Sequence, residues 1–94
     1  MSYMLVRHKV SDVAKWRPLF EEHAAVRKEF GFKGAQAFKN ADDPGEIVVL
    51  FEVQDMDRAR QFSQTDELRE AMERAGVSDV PDIFFLEEET KTPA

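Results

Sequence analysis

The chain has 94 residues, of which 43% are hydrophobic, and a formal net charge of −6. This size and composition predict one folded domain over residues 1–94, with its core at about 3–89 and a flexible tail at 90–94. Nineteen acidic residues outnumber 13 scattered basic ones, which argues against nucleic acid or an anionic membrane as partners. The chain has no cysteine, so disulfides and thiolate metal sites are excluded. We expect a cytoplasmic protein, because no signal peptide or membrane span can be drawn.

The first half of the chain predicts a strand followed by a long helix. Residues 3–10 alternate apolar and polar side chains, as a half-buried strand does. Ser11 or Asp12 can cap a helix that runs to about Phe30 and ends at Gly31.

Pro18 interrupts the pattern of that first helix. A proline there removes an amide donor and clashes with the carbonyl four residues earlier. We therefore expect a kink near Trp16, or a first turn that is offset from the rest of the helix.

The second half predicts two further strands, a helical region in two parts and a final strand. These elements are a weak strand at 33–39, a turn at 40–45, the strongest strand at 46–54, a helix capped by Asp55 or Asp57 through Phe62, a further helix with a new cap in 63–66 that ends at Gly76, and a strand at 83–86.

The order β-α-β-β-α-β predicts an α+β fold of the ferredoxin-like type, an antiparallel sheet with its helices on one face. In the strongest strand Val48 and Leu50 point one way, and Val49 and Phe51 point the other, so both faces of the sheet are apolar. Helices can cover only one of them. Because soluble monomers rarely expose a large apolar patch, we predict a homodimer packed sheet to sheet.

Four sequence features carry a resemblance to a known family. They are Arg-His-Lys-Val at 7–10, the step from Asp12 to Lys15-Trp16, the series Phe20, His23 and Arg27, and Phe-Phe-Leu-Glu-Glu at 84–88. With the order of elements, they resemble the dimeric α/β-barrel superfamily, and most of all the small proteins grouped with antibiotic biosynthesis monooxygenases. The resemblance implies a barrel closed across a dimer and a pocket between helices and sheet in each subunit. We expect no cofactor, because no cofactor motif is visible in the sequence.

The chain departs from the enzymatic members in its site residues. Quinone-forming oxygenases of that family use an Asn, Trp, Tyr and Arg group, whereas here the single Trp is Trp16 on the first helix and the single Tyr is Tyr3. Haem-degrading members use a histidine on the second helix, where this chain has none. Neither activity is therefore transferred residue by residue.

Two histidines are the candidate catalytic residues. His8 interrupts the apolar alternation of the first strand, and His23 lies on one helical stripe with Trp16, Phe20 and Arg27. If both stripes face one space, a desolvated, neutral imidazole can act as a general base. Trp16 and Phe20 can then bind a planar ligand, and Arg27 a carboxylate or phenolate.

Other interpretations of these residues remain open. His8 can face the dimer side instead, and buried histidines are more often hydrogen-bonded core residues than catalysts. No metal is predicted, since two histidines lack a third ligand at metal-site spacing. The three hypotheses are a cofactor-independent monooxygenase-like or cyclase-like enzyme acting on a planar molecule, a binding module with the same pocket, and a structural dimer.

Overall fold

A computed structural model describes residues 2–94. It confirms the α+β ferredoxin-like fold and the two-part second helical region, whereas the single helix predicted from residue 11 or 12 to about Phe30 is divided into two. The elements are β1 (Ser2–Lys9), α1 (Val13–Glu22), α2 (Ala24–Glu29), β2 (Phe32–Asn40), β3 (Asp43–Val53), α3 (Met56–Ser63), α4 (Asp66–Arg74) and β4 (Asp82–Glu87).

The first helical region breaks at His23 rather than near Trp16, which corrects the expected kink. Asp12 caps α1 by accepting hydrogen bonds from the amides of the second and third helical residues, and α1 continues through Pro18. Its last turn contains no basic residue and ends at Glu21 and Glu22, and negative charge at a helix C-terminus is unfavourable. The chain then turns at His23, whose carbonyl accepts the amides of Val26 and Arg27 as α2 begins.

The second helical region follows the sequence prediction more closely. Asp55 caps α3, and Thr65 caps α4 through its hydroxyl, which accepts the Leu68 amide at 3.2 Å. Ala75 ends α4, and Gly76 follows with a φ of 83°, a left-handed conformation that glycine adopts without a steric penalty.

The hairpin between β2 and β3 is tighter than the turn predicted at residues 40–45. Only Ala41 and Asp42 lie between the two strands, since β3 already begins at Asp43. Side chains next to the turn satisfy its backbone: Asn40 Oδ1 accepts the Asp42 amide at 2.9 Å, and Asp43 Oδ1 accepts the Gly45 amide at 3.1 Å.

The four strands form one antiparallel sheet in the order β2-β3-β1-β4. Met4 pairs with Phe51 and Phe85, and Val6 lies between Val49 and Ile83. Because paired residues share a face, these side chains form one apolar surface, which the helices cover. His8, paired with Ile47, lies on this same face and is buried.

The opposite face of the sheet carries apolar side chains and no helix. Leu5 is paired there with Leu50 and with Phe84, which is 52% exposed. Phe38 and Leu86, on the two edge strands, are 48% and 38% exposed. We call this surface, from Phe38 through Leu50 and Leu5 to Phe84 and Leu86, the open face. No helix within residues 2–94 is long and apolar enough to span a membrane.

Candidate functional site

A small cavity lies between the helix-covered face of the sheet and the four helices. Its volume is about 50 Å³. The sheet contributes residues of β1 and β3, and every helical segment contributes at least one side chain. All five residues selected from the sequence line it: His8, Trp16, Phe20, His23 and Arg27.

His8 forms the polar part of the cavity wall on the sheet. The residue is 4% exposed, and neither Nδ1 nor Nε2 has a hydrogen-bond partner among the described residues. Burial lowers the pKa of His8, and the charge of Asp79 opposes this shift only in part. The ring is therefore neutral at neutral pH, with one nitrogen able to donate and the other able to accept a proton.

A column of aromatic rings extends from His8 to Arg27. The His8 ring meets Trp16 edge to face at 5.9 Å, and Trp16 is stacked on Phe20 with ring centroids 4.7 Å apart. The guanidinium of Arg27 lies over the other side of this column, 4.1 Å from the Phe20 centroid and 5.8 Å from that of Phe51. These spacings are typical of aromatic stacking and cation–π contacts.

Arg27 is a buried cation without an anionic partner. The residue is 7% exposed, and no hydrogen bond or ion pair of its side chain is found in residues 2–94. Burial lowers its pKa, but a guanidinium stays charged in proteins. Its donors are therefore available to a carboxylate or a phenolate.

His23 lies at the break between α1 and α2, next to Arg27 and Phe62. Its ring centroid is 6.0 Å from that of Phe62, and its buried Nε2 has no partner among the described residues. Burial lowers the pKa of His23 most, and the charges of Arg27 and Arg74 lower it further against an opposing effect of Glu67. His23 is thus a second neutral imidazole on the cavity.

Sequence reasoning missed the wall that α4 supplies. Leu68, Ala71, Met72 and Ala75 line the cavity, at positions i, i+3, i+4 and i+7. That spacing was a visible signal, because it puts all four on one helical face. Met72 and Ala71 are partly exposed, so this wall lies nearer the surface than the sheet does.

The donor set does not suit a metal ion. No group of three or more His, Cys, Asp or Glu side chains is placed to hold one in the part of the chain that the structure describes. The cavity instead combines two neutral imidazoles, one cation and aromatic surfaces. Such a set favours an anionic, planar organic ligand.

Comparison with known proteins identifies the family of the chain. The sequence model described as antibiotic biosynthesis monooxygenase matches residues 4–74. The chain belongs to that family. It is a small monooxygenase-like α/β protein, and a comparison with curated proteins found no match.

Solved structures agree on the fold. A crystal structure of an antibiotic biosynthesis monooxygenase is 17% identical with a TM-score of 0.70, covering 96% of this chain and 100% of that one. SnoaB, a cofactor-independent oxygenase from Streptomyces nogalater, is 15% identical with a TM-score of 0.76, covering 99% and 97%. Rv0793 from Mycobacterium tuberculosis is 13% identical with a TM-score of 0.69, covering 96% of each chain. At these identities the likeness shows a shared fold and does not transfer site residues.

Proposed function

We propose that this chain is a cofactor-independent monooxygenase that oxidises a planar phenol with O₂. The observation that carries the proposal is the cavity in which His8 and His23 present unpartnered ring nitrogens beside the unpaired guanidinium of Arg27. Family membership and the oxygenase named among the solved structures support the reaction class.

The residues have separate roles in this proposal. His8, the more deeply buried imidazole, accepts the phenolic proton, and Arg27 stabilises the phenolate that results. Trp16 and Phe20 supply the aromatic wall against which the ligand ring packs. His23, held neutral beside Arg27, is the alternative proton acceptor.

The overall reaction balances with O₂ as the only oxidant. An aromatic C–H and the phenolic O–H lose two hydrogens; one oxygen atom becomes a quinone oxygen and the other leaves as water. For 1-naphthol the products are 1,4-naphthoquinone and water. The electron-rich phenolate, rather than the neutral phenol, is the form that reacts with O₂, which is why proton removal precedes oxygen transfer.

The competing interpretation is a binding or structural module in which the histidines are core residues. It predicts that buried imidazoles find hydrogen-bond partners within the protein, as buried polar groups usually do. Three buried ring nitrogens without such partners favour a site that binds a polar ligand.

The test is O₂ consumption with 1-naphthol, followed together with quinone absorbance and compared with a protein-free control. We expect His8→Gln to abolish turnover. The Kd of 1-naphthoate, a non-reactive anion, should stay within a few-fold of the wild-type value. Binding of 1-naphthoate without turnover of 1-naphthol or related phenols by the wild type supports the binding module instead. Absence of both supports a structural role.

We also propose that a second copy of the chain covers the open face, giving the dimer that the sequence predicts. Exposed Phe84, Phe38 and Leu86 support this, since their burial stabilises association by roughly 25 cal/mol per Å² of apolar area. We expect Phe84→Glu to convert a dimer into a monomer in size-exclusion chromatography with light scattering. A monomeric wild type at micromolar concentration contradicts the proposal. The cytoplasmic location stays a prediction.

A further inference from the structure

The cavity shares a wall with a much larger groove on the surface. This α4–β4 groove has a volume of about 680 Å³ and lies between α4, residues 77–81 and Ile83. Leu68 and Met72 line both the groove and the cavity that contains His8. These two side chains are therefore the partition between a small aromatic space and a large open one.

The cavity by itself is too small for an aromatic ring. Its volume of about 50 Å³ is well below the roughly 150 Å³ of an engineered cavity that binds benzene. A ring ligand must displace part of the wall. The sheet side cannot yield readily, because Met4, Val6 and Val49 are almost completely buried and close-packed.

Met72 is the part of the wall that can move with little loss of stability. It is partly exposed, and its unbranched thioether side chain adopts several rotamers. The backbone beyond it is fixed: the Val77 amide donates to Met72 O at 3.0 Å, and the Ser78 amide donates to Lys9 O at 2.8 Å. Expansion therefore opens the cavity toward the groove by a side-chain movement.

The two spaces differ in the chemistry of their linings. Aromatic rings and Arg27 line part of the cavity, whereas no aromatic side chain of residues 2–94 lines the groove. The aliphatic residues of the groove include Leu68, Met72, Val77 and Ile83, and charged ones such as Asp66 and Asp79 lie beside them. An aliphatic surface binds alkyl groups without the ring stacking that the cavity offers. One ligand can occupy both spaces if it combines a planar anionic ring with an aliphatic substituent.

We propose that the ligand site continues past Met72 and Leu68 into the α4–β4 groove, and that its ligand is a planar aromatic anion bearing an alkyl chain. The position of the ring rests on the proposed function. The new part is that the rest of the ligand is an alkyl chain that lies in the groove. Met72 is then a specificity-determining residue.

The test uses benzoate, 4-propylbenzoate and 4-pentylbenzoate as probes of the full chain by isothermal titration calorimetry. We expect the Kd to fall about fourfold for each added methylene, the gain for burying one CH₂ group. Met72→Gln keeps the length of the side chain but puts an amide between the cavity and the groove. The gain in affinity per added methylene should therefore largely disappear. Met56→Gln is the matched control, since Met56 lies on α3 outside both spaces. In this variant the Kd should fall with each added methylene as it does in the wild type.

A second measurement does not depend on any variant. In the wild type, nuclear Overhauser contacts from the terminal methyl of the pentyl chain to the Ile83 methyls place the chain in the groove. Contacts to Leu50 or Phe84 instead put it on the open face and overturn the proposal. Contacts from a second copy of the chain that fill the groove overturn it as well.

The outcomes separate this inference from the proposed function. Ring contacts to Trp16 with a Kd independent of chain length overturn the groove extension and leave ligand binding in the cavity intact. Failure of every member of the series to bind overturns both. A dependence on chain length in a protein that does not oxidise 1-naphthol supports the extended site and contradicts only the oxygenase activity.

Discussion

If Arg27 binds a ligand anion, as we propose, its burial without an anionic partner lowers the stability of the ligand-free protein, and replacing it with methionine should show this. Moving a charge out of water costs several kcal/mol even after the protein relaxes. The contact with Phe20 at 4.1 Å returns about 2 kcal/mol. Methionine retains the apolar stem and removes the charge. We therefore expect Arg27→Met to stabilise the ligand-free protein by about 1 kcal/mol, which raises Tm by roughly 4–8 °C for a domain of this size.

The same change should remove anion binding. A hydrogen bond to a charged group contributes about 1.5–3 kcal/mol, so the Kd of 1-naphthoate should rise roughly 10- to 100-fold. Urea denaturation at one fixed protein concentration measures the stability, because the proposed dimer would make the apparent stability depend on concentration.

Arg17→Met is the matched control for Arg27→Met. Arg17 is exposed on α1 and pairs with Glu21, so its replacement should change stability by less than about 0.5 kcal/mol and leave binding unchanged. If Arg27→Met instead lowers the free energy of unfolding by more than about 1 kcal/mol, the cation–π contacts outweigh the cost of desolvation and the prediction is wrong.

Two further predictions concern the other end of the ring column. Because burial lowers the folded-state pKa of His8, the unfolded chain binds a proton more readily, and stability falls as the pH drops below the unfolded pKa of about 6.5. His8→Phe removes this proton linkage, so the variant should lose less stability between pH 7.5 and 5 than the wild type, by up to about 2 kcal/mol. Equal losses in urea titrations would contradict a lowered pKa of His8. Trp16→Ala removes a ring packed between His8 and Phe20, and should destabilise the fold by about 3–5 kcal/mol. Indole added to the buffer should restore part of the lost Tm. A loss of stability under about 1 kcal/mol would show that the ring is not part of the packed core.

The fold could be read from the sequence because its signals are local and repeat along each element. Alternation in residues 3–10 and 46–54 gives both the strands and their faces, and Asp55 and Gly76 mark helix boundaries by their chemistry. The break at His23 could not be read in the same way. Pro18 gave a strong local signal for distortion nearby, yet α1 continues through it and ends a turn later.

The site was only partly predictable, for a different physical reason. Helical spacing put Trp16, Phe20 and His23 on one stripe, but whether His8 faced that stripe depended on which face of the sheet the helices cover. Pairing of Met4 and Val6 with buried residues of β3 decides this in the structure. The spacing within α4 marks its apolar face, but which part of the sheet that face covers depends on the packing of a helix far along the chain, which the spacing does not specify.

Two features of the molecule lower the stability of the isolated chain and lie on opposite faces of the same strands. Unpartnered imidazoles and an unpaired guanidinium line the helix side, and exposed Phe84 and Leu86 lie on the other. Because side chains alternate along a strand, Leu5 on the open face lies between Met4 and Val6, which form the cavity floor. A second copy pressed on the open face would therefore hold the floor of the cavity in place. Monomerising the protein with Phe84→Glu should then weaken 1-naphthoate binding, although Phe84 itself does not line the cavity; unchanged affinity in a folded monomer would show that each site functions independently of the dimer.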